Sequence, residues 1–198
     1  MQAADVLVKI LRAEGVRQCF YYPNNALVDP LARAGMRGIC VRQERVAGNM
    51  ADGVSRSTSG REIGVVAVQE LAGSENAFPG IAHSHTDSTP VLYLPGHPGR
   101  DLIGTPGTVP FDSMRNYTGV TKMADKVLSA RQMPIKLRRA FTALRSGRPQ
   151  PVMLELPTDV CEAEYDGTLD YAPVKPMRSG PDSGAVREAA ERLVAAAE

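Results

Sequence analysis

Short apolar runs alternate along this chain with segments of helical spacing, and that alternation narrows the available folds more than any other feature. The runs are Cys19-Phe20-Tyr21-Tyr22, Gly38-Ile39-Cys40-Val41, Ile63 to Val68, Val91-Leu92-Tyr93-Leu94 and Val152-Met153-Leu154-Glu155-Leu156. Turn residues bound them, as they bound strands: Pro23-Asn24-Asn25 ends the first and Pro95-Gly96 the fourth. Ile63 to Val68 is nearly all apolar, which suits a strand covered on both faces. Val120-Thr121-Lys122 reads as a further short strand. Between the runs, apolar residues recur at helical spacing over 5–15 (Val6, Leu7, Ile10, Leu11), 26–34 (Leu27, Leu31, with Pro30 to be accommodated) and 135–144 (Leu137, Ala140, Phe141, Leu144). Residues 44–57 and 76–85 also read as helices, the first rich in small residues that permit close packing. Strands alternating with helices imply a mostly parallel central sheet flanked by helices, a three-layer α/β sandwich.

A chain of 198 residues has room for one such domain and a short extension. From Cys161 the composition turns polar and rich in Pro and Gly. The expected organisation is a domain over 1–165, a linker over 166–184, and over 185–198 the first helix of a following domain, cut off at Glu198. The stretch 97–116, with its Gly, Pro and Thr residues, reads as a long functional or interfacial loop. A net charge of +1 without a basic block argues against a nucleic-acid partner. No apolar run reaches membrane-spanning length. Met1 leads directly into the first amphipathic segment without a signal-peptide core, so the cytoplasm is the expected location. Cys19, Cys40 and Cys161 lack metal or redox spacing, and Cys19 and Cys40 read as small core residues. His83, His85 and His97 are too loosely spaced for a metal site, and no metal ligands are expected.

Three junctions carry polar residues where chemistry would sit, since ligands of open α/β sheets bind beyond the carboxyl ends of strands. Pro23-Asn24-Asn25 follows the first strand; taken alone, an ordinary strand–helix turn capped by Asn25 is the plainer reading. Val41-Arg42-Gln43-Glu44 follows the second. There Glu44 enters a helix lying close to the sheet. Desolvation would raise the pKa of such a carboxyl, whereas the helix N-terminus favours the anion. A first-turn acid complementing the helix dipole is the plainer reading. Gln69-Glu70-Leu71-Ala72-Gly73-Ser74-Glu75-Asn76 follows the third strand, with one glycine and no phosphate-loop pattern. A strand–helix loop capped by Ser74, with Glu70 and Glu75 solvated, would look the same.

Taken in order, these segments resemble the thiamine-diphosphate enzymes of the acetolactate synthase, pyruvate decarboxylase and benzoylformate decarboxylase type. Arg42-Gln43-Glu44 with Ala47 and Ala51-Asp52-Gly53-Val54-Ser55-Arg56 is similar to the family's glutamate-bearing strand–helix segment, the most specific match. Phe20-Tyr21-Tyr22-Pro23, Gly73 with Asn76-Ala77, Asp87-Ser88-Thr89-Pro90-Val91 and Pro151-Val152 through Pro157-Thr158-Asp159-Val160 fit the rest of the pattern. The chain departs from it in places. Asn24-Asn25 stand where Gly-Gly or Gly-Ser is common. Thr108-Val109-Pro110 match the Phe-Gln-Glu of acetolactate synthases, and Gln69 falls where benzoylformate decarboxylase has a histidine. His83 and His85 do not form the adjacent pair of pyruvate decarboxylases.

The resemblance implies a thiamine-diphosphate-binding fold acting on a 2-keto acid by decarboxylation or carboligation. Glu44 would hydrogen-bond N1′ of the aminopyrimidine, so that the exocyclic nitrogen takes the thiazolium C2 proton. It implies cofactor contacts from Pro23, Asn24, Glu44, Gly73 and Asn76, and substrate contacts from Asn25 and Gln69. The diphosphate and its magnesium would bind a domain or subunit that this chain lacks, and the enzyme would be a homo-oligomer, a dimer or tetramer. A catalytically silent structural or regulatory subunit of the same fold, and an unrelated nucleotide-binding α/β domain, are the alternatives.

Overall fold

The computed structural model describes residues 1–23, 25–103, 105, 111–177 and 180–196, with Asn25 described in its backbone alone. Six strands form one sheet in the order β2-β1-β3-β4-β6-β5, and every adjacent pair is parallel. They are β1 (Gln18–Tyr21), β2 (Arg37–Cys40), β3 (Gly64–Val68), β4 (Val91–His97), β5 (Met123–Lys126) and β6 (Val152–Pro157). The register sets Val66 beside both Phe20 and Tyr93, and Tyr93 beside Met153.

Strand period two then divides the core. Cys19, Val65, Ala67, Leu92, Leu94, Val152 and Leu154 face one layer, where α1 (Ala3–Ala13), α2 (Asn25–Arg33), α6 (Met133–Leu144) and α7 (Thr158–Glu162) pack. Phe20, Val66, Val68, Tyr93 and Met153 face the other, where α3 (Glu44–Ser57), α4 (Ala72–Thr86) and α5 (Ser113–Tyr117) pack. The three-layer α/β sandwich is as the alternation requires, and β3 is buried at every residue. Among the described residues no helix is long and apolar enough to cross a membrane.

Several local boundaries differ from the sequence reading. The strand expected at 120–122 lies at Met123–Lys126, because Val120 closes a turn onto the Tyr117 carbonyl and Lys122 spends its Nζ on the carbonyls of Ala143, Ser146 and Arg148. β4 continues through Pro95 and Gly96 to His97. Pro95 stands opposite Val68, the last residue of β3, so the proline enters the sheet where that neighbour ends. The stretch read as one long loop contains a 3-10 turn (Arg100–Leu102) and α5, capped by the Asp112 side chain on Arg115 N at 2.9 Å. α4 starts four residues earlier than expected, which puts Ser74 inside the helix and makes Leu71 the residue before it. Cys161 is buried in α7.

Close backbone contact presses α3 against its neighbours. A Cβ on Gly64 would stand 2.0 Å from the Ala51 carbonyl oxygen, and one on Gly80 would stand 2.7 Å from that of Arg45. Any side chain at 64 or 80 would push α3 away. At the opposite end of the sheet, Glu14 is 5% exposed and pairs with Arg145. It also accepts from Val174 N at 3.0 Å and from the Tyr171 hydroxyl, so residues 171–174 lie across the ends of α1 and α6. α8 (Ser183–Ala195) buries none of its described residues.

Gly64→Ala is expected to lower the unfolding free energy of the chain by about 3 kcal/mol in a urea titration, by overpacking against Ala51. Gly53→Ala, whose Cβ meets nothing within 4 Å on an exposed helical face, should raise it by about 0.5–1 kcal/mol. Burial pushes the Cys19 and Cys161 thiols up to about 12, whereas Cys40 is exposed at the sheet edge, contrary to its reading as a core residue. A thiol reagent at pH 8, followed by peptide mass spectrometry, should therefore label Cys40 in the native chain and all three cysteines only after unfolding.

Candidate functional site

The strand order reverses beside β1, where the sheet has its crevice. β1 feeds α2 on one face, while its neighbour β3 feeds α4 on the other. Loops leaving adjacent strands toward opposite faces open a gap at their carboxyl ends, the usual place for a ligand in such sheets. The β2–α3 connection delivers Glu44 to the same edge.

Glu44 is the first residue of α3, after Gln43 in extended conformation (φ −150°). Its helix is held down by the contacts at Gly64 and Gly80, and Gly48 faces Gly80 with 3.1 Å between a built Cβ and the Gly80 Cα. The consequence is burial: Glu44 is 4% exposed. Yet its carboxylate has no hydrogen bond or ion pair with any described residue. The other buried acids are committed: Glu14 to Arg145, Glu62 to Arg17, Asp52 to Arg56 and Glu155 to Lys126. Its oxygens keep access to water only at the cleft, and a carboxylate with so little surface and no partner is costly. Such a group is a mark of a site that awaits a ligand.

Glu44 lines a cleft of about 320 Å³ with Gln43, Arg45, Glu75, Asn76 and Pro79. The walls are the first turns of α3 and α4. Pro79, inside α4, has no N–H, so the Glu75 carbonyl loses its ordinary helical donor and offers an acceptor beside the cleft.

The structure thus brings Glu44 and Asn76 into one cleft. Gly73 is buried, but the Gln69 side chain occupies the space beside it: a Cβ on Gly73 would stand 2.6 Å from Gln69 Cγ. Gln69 is half-buried at the end of β3 and Pro23 is exposed after β1, both on the same sheet edge but outside the cleft lining. Asn24, the side chain of Asn25 and Thr108-Val109-Pro110 lie outside the described residues. Among the described residues, no three His, Cys, Asp or Glu side chains gather as metal ligands.

Sequence reasoning missed what lies behind Glu44. Tyr93 and Tyr117 are fully buried on the same sheet face, with ring centroids 4.8 Å apart. The Tyr117 hydroxyl donates to the Ser74 carbonyl at 2.6 Å. Glu155, 1% exposed, stands on the adjoining strand, with Lys126 Nζ 2.6 Å from its Oε2 at an angle outside hydrogen-bond geometry. One signal was present in the sequence: a carboxylate interrupting the apolar run Val152 to Leu156.

Residues 1–127 match the family described as thiamine pyrophosphate enzyme, N-terminal TPP binding domain. The acetolactate synthase large subunit of Haemophilus influenzae is 33% identical over 183 residues, covering 90% of this chain and 32% of that protein. The acetolactate synthase isozyme 3 large subunit of Escherichia coli K12 is 32% identical over 99% of this chain and 35% of its own length. The glyoxylate carboligase of Escherichia coli O157:H7 is 30% identical over 99% of this chain and 34% of its own length. The chain therefore spans about a third of the length of these curated relatives.

Replacing Glu44 with Gln removes a desolvated charge and breaks no described bond. Urea unfolding of Glu44→Gln should show stability unchanged or raised by up to about 1 kcal/mol, the sign expected of a residue kept for function.

Proposed function

This chain belongs to the thiamine pyrophosphate enzymes and carries their N-terminal TPP-binding domain, and on that premise we propose that Glu44 is the carboxyl group that engages the pyrimidine ring of the cofactor in a 2-keto acid decarboxylase or carboligase. The observation that carries this reading is the buried, unpartnered carboxylate of Glu44, lining a cleft at the carboxyl edge of the sheet. A single carboxyl oxygen facing a ring nitrogen needs what Glu44 has: low exposure, no ion pair with any described residue, and a backbone fixed by close helix contacts. Bound thiamine diphosphate supplies an acidic thiazolium carbon whose conjugate base adds to carbonyls and an electron sink for the bond that breaks.

The residues of this chain do the rest. Glu44 holds or releases a proton at the pyrimidine nitrogen. The Glu75 carbonyl freed by Pro79, and the Asn76 amide, offer polar contacts on the wall facing it. On this reading Pro23, Asn24 and Gly73 would contact the pyrimidine, and Gln69 and Asn25 the substrate. Gln69 packed with its Cβ and Cγ beside Gly73 supports a positioning role, since this holds its side chain against the first turn of α4.

The diphosphate, with magnesium, would be held by a domain or subunit outside these residues, and the working enzyme would be a cytoplasmic dimer or tetramer in which that domain faces the Glu44 cleft. The acetolactate synthases and glyoxylate carboligase among the relatives support a substrate of the 2-keto acid class.

The test uses the complete enzyme containing this chain. Glu44→Gln should slow exchange of the cofactor C2 proton with D2O by about a hundredfold or more, read by quenched-flow NMR, with the protein still folded. Exchange at the wild-type rate would remove the proposal.

A further inference from the structure

The chain has three histidines, and two of them engage Nε2 with a neighbour. His83 Nε2 lies 3.0 Å from the Asp87 carboxylate, and His85 Nε2 lies 3.0 Å from Gln150 Nε2. Both stand in the last turns of α4, at the end of the helix away from the Glu44 cleft. His97 is placed differently. Its Nδ1 lies 2.9 Å from the Pro98 carbonyl oxygen, and its Nε2 has no hydrogen bond or ion pair with any described residue. A carbonyl can only accept, so the proton of the neutral ring sits on Nδ1, and Nε2 carries a free lone pair.

The group that fixes this ring is itself fixed. Pro98 is buried, and its own ring sets its φ. The Thr158 hydroxyl donates to the His97 carbonyl at 3.3 Å. Arg100 donates from its backbone N–H and Nε to the Asp159 carboxylate, at 3.1 and 2.6 Å, and from Nη1 to the Leu128 carbonyl at 2.6 Å. The chain on both sides of the Pro98 carbonyl is thus tied to α7 and to the loop after β5, and the imidazole inherits that rigidity.

His97 also stands where a ligand of such a sheet would lie. It is the last residue of β4, and β4 outruns its neighbour: Pro95 pairs with Val68, the end of β3, so Gly96 and His97 continue beside the departing Gln69. Neighbouring strands lie about 4.8 Å apart. Strand alternation puts His97, which is half-buried, on the face of Tyr93, the face that carries α3 and α4. The connections diverge here as well. β4 leads to α5 in that layer, while the adjacent β6 leads to α7 in the opposite one. Carboxyl ends of strands at such a reversal are ligand sites.

We propose that His97 is the acid–base group of the substrate side, presenting Nε2 to the ketone oxygen of a 2-keto acid. This rests on the function proposed above. As the ketone carbon is attacked, the carbonyl π pair moves onto its oxygen, which takes the proton from Nε2 of the charged ring. The ring is left neutral, with Nδ1–H still donated to Pro98. When a carbonyl re-forms in the product, the proton returns to Nε2. Protons and electrons balance without an outside reagent. The oxygen gains most from Nε2–H as it becomes anionic, so loss of His97 should fall on kcat rather than on KM.

The test uses the complete enzyme containing this chain. His97→Asn keeps an amide N–H near the place of Nδ1, and so the tie to Pro98, but has nothing at the place of Nε2. It should melt within about 2 °C of wild type and exchange the cofactor C2 proton within about twofold of it. With pyruvate and glyoxylate as probes, kcat should fall about a hundredfold while KM stays within about threefold. In wild-type enzyme labelled with 15N-histidine and free of cofactor, the neutral-ring signals that vanish in His97→Asn should be those of an imidazole protonated at Nδ1. Wild-type kcat in His97→Asn overturns the proposal, and so does a ring protonated at Nε2. A melting temperature lowered by several degrees, with C2 exchange and turnover slowed together, also overturns it, since the ring would then be a structural tie. Glu44→Gln is read in C2 exchange before substrate enters and His97→Asn in the turnover that follows, so each reading fails on its own measurement.

Discussion

Contact between α3 and its neighbours at backbone distance is the constraint on which the rest of this structure depends. Gly64 admits the Ala51 carbonyl, and Gly48 and Gly80 let α3 and α4 cross without intervening side chains. A helix held that close carries its first residue under the edge of the sheet. Moved outward by one methyl group, α3 would expose Glu44 to water, and a solvated carboxylate has no special reactivity. The small residues of residues 44–57 thus serve a chemical end through a steric means: they cost helix propensity and gain a desolvated acid.

The second consequence is energetic. Most buried acids in the domain are neutralised, and the Glu14–Arg145 pair is so well satisfied that it ties residues 171–174 to α1 and α6. Glu44 is treated differently. It has burial without compensation, and behind it lie Ser74 and Tyr93, whose hydroxyls lack aligned partners. Folding tolerates these costs because β3 and β4, buried on both faces, supply a large apolar core around them. Polar groups left unsatisfied in the layer of α3 and α4, while the buried Glu14–Arg145 pair of the opposite layer is fully satisfied, mark where the domain gives up stability for chemistry.

Much of the fold was legible in the sequence, for a specific reason. A parallel sheet covered on both faces requires continuous apolar strands such as 64–68, and no other soluble architecture uses them in alternation with amphipathic helices. Glu44 was legible because Arg42-Gln43-Glu44 sits at a strand–helix junction. What the sequence left obscure depended on tertiary contact. β5 was misplaced by three residues because Lys122 is recruited to cap the end of α6, which local propensity does not show. Cys40 looked like core but lies on an edge strand, an assignment that only strand order makes. Tyr93 read as a strand residue among apolar neighbours; nothing in its spacing announced that its hydroxyl would meet those of Ser74, from α4, and Tyr117, from α5.

The central claim is that a shielded carboxyl group meets a ring nitrogen of the cofactor. A crystal structure of the complete enzyme with thiamine diphosphate measures this directly. The account predicts a Glu44 carboxyl oxygen within about 2.6–3.2 Å of the pyrimidine N1′, closed off from solvent. A bound cofactor whose pyrimidine lies elsewhere, with Glu44 facing water, would contradict it.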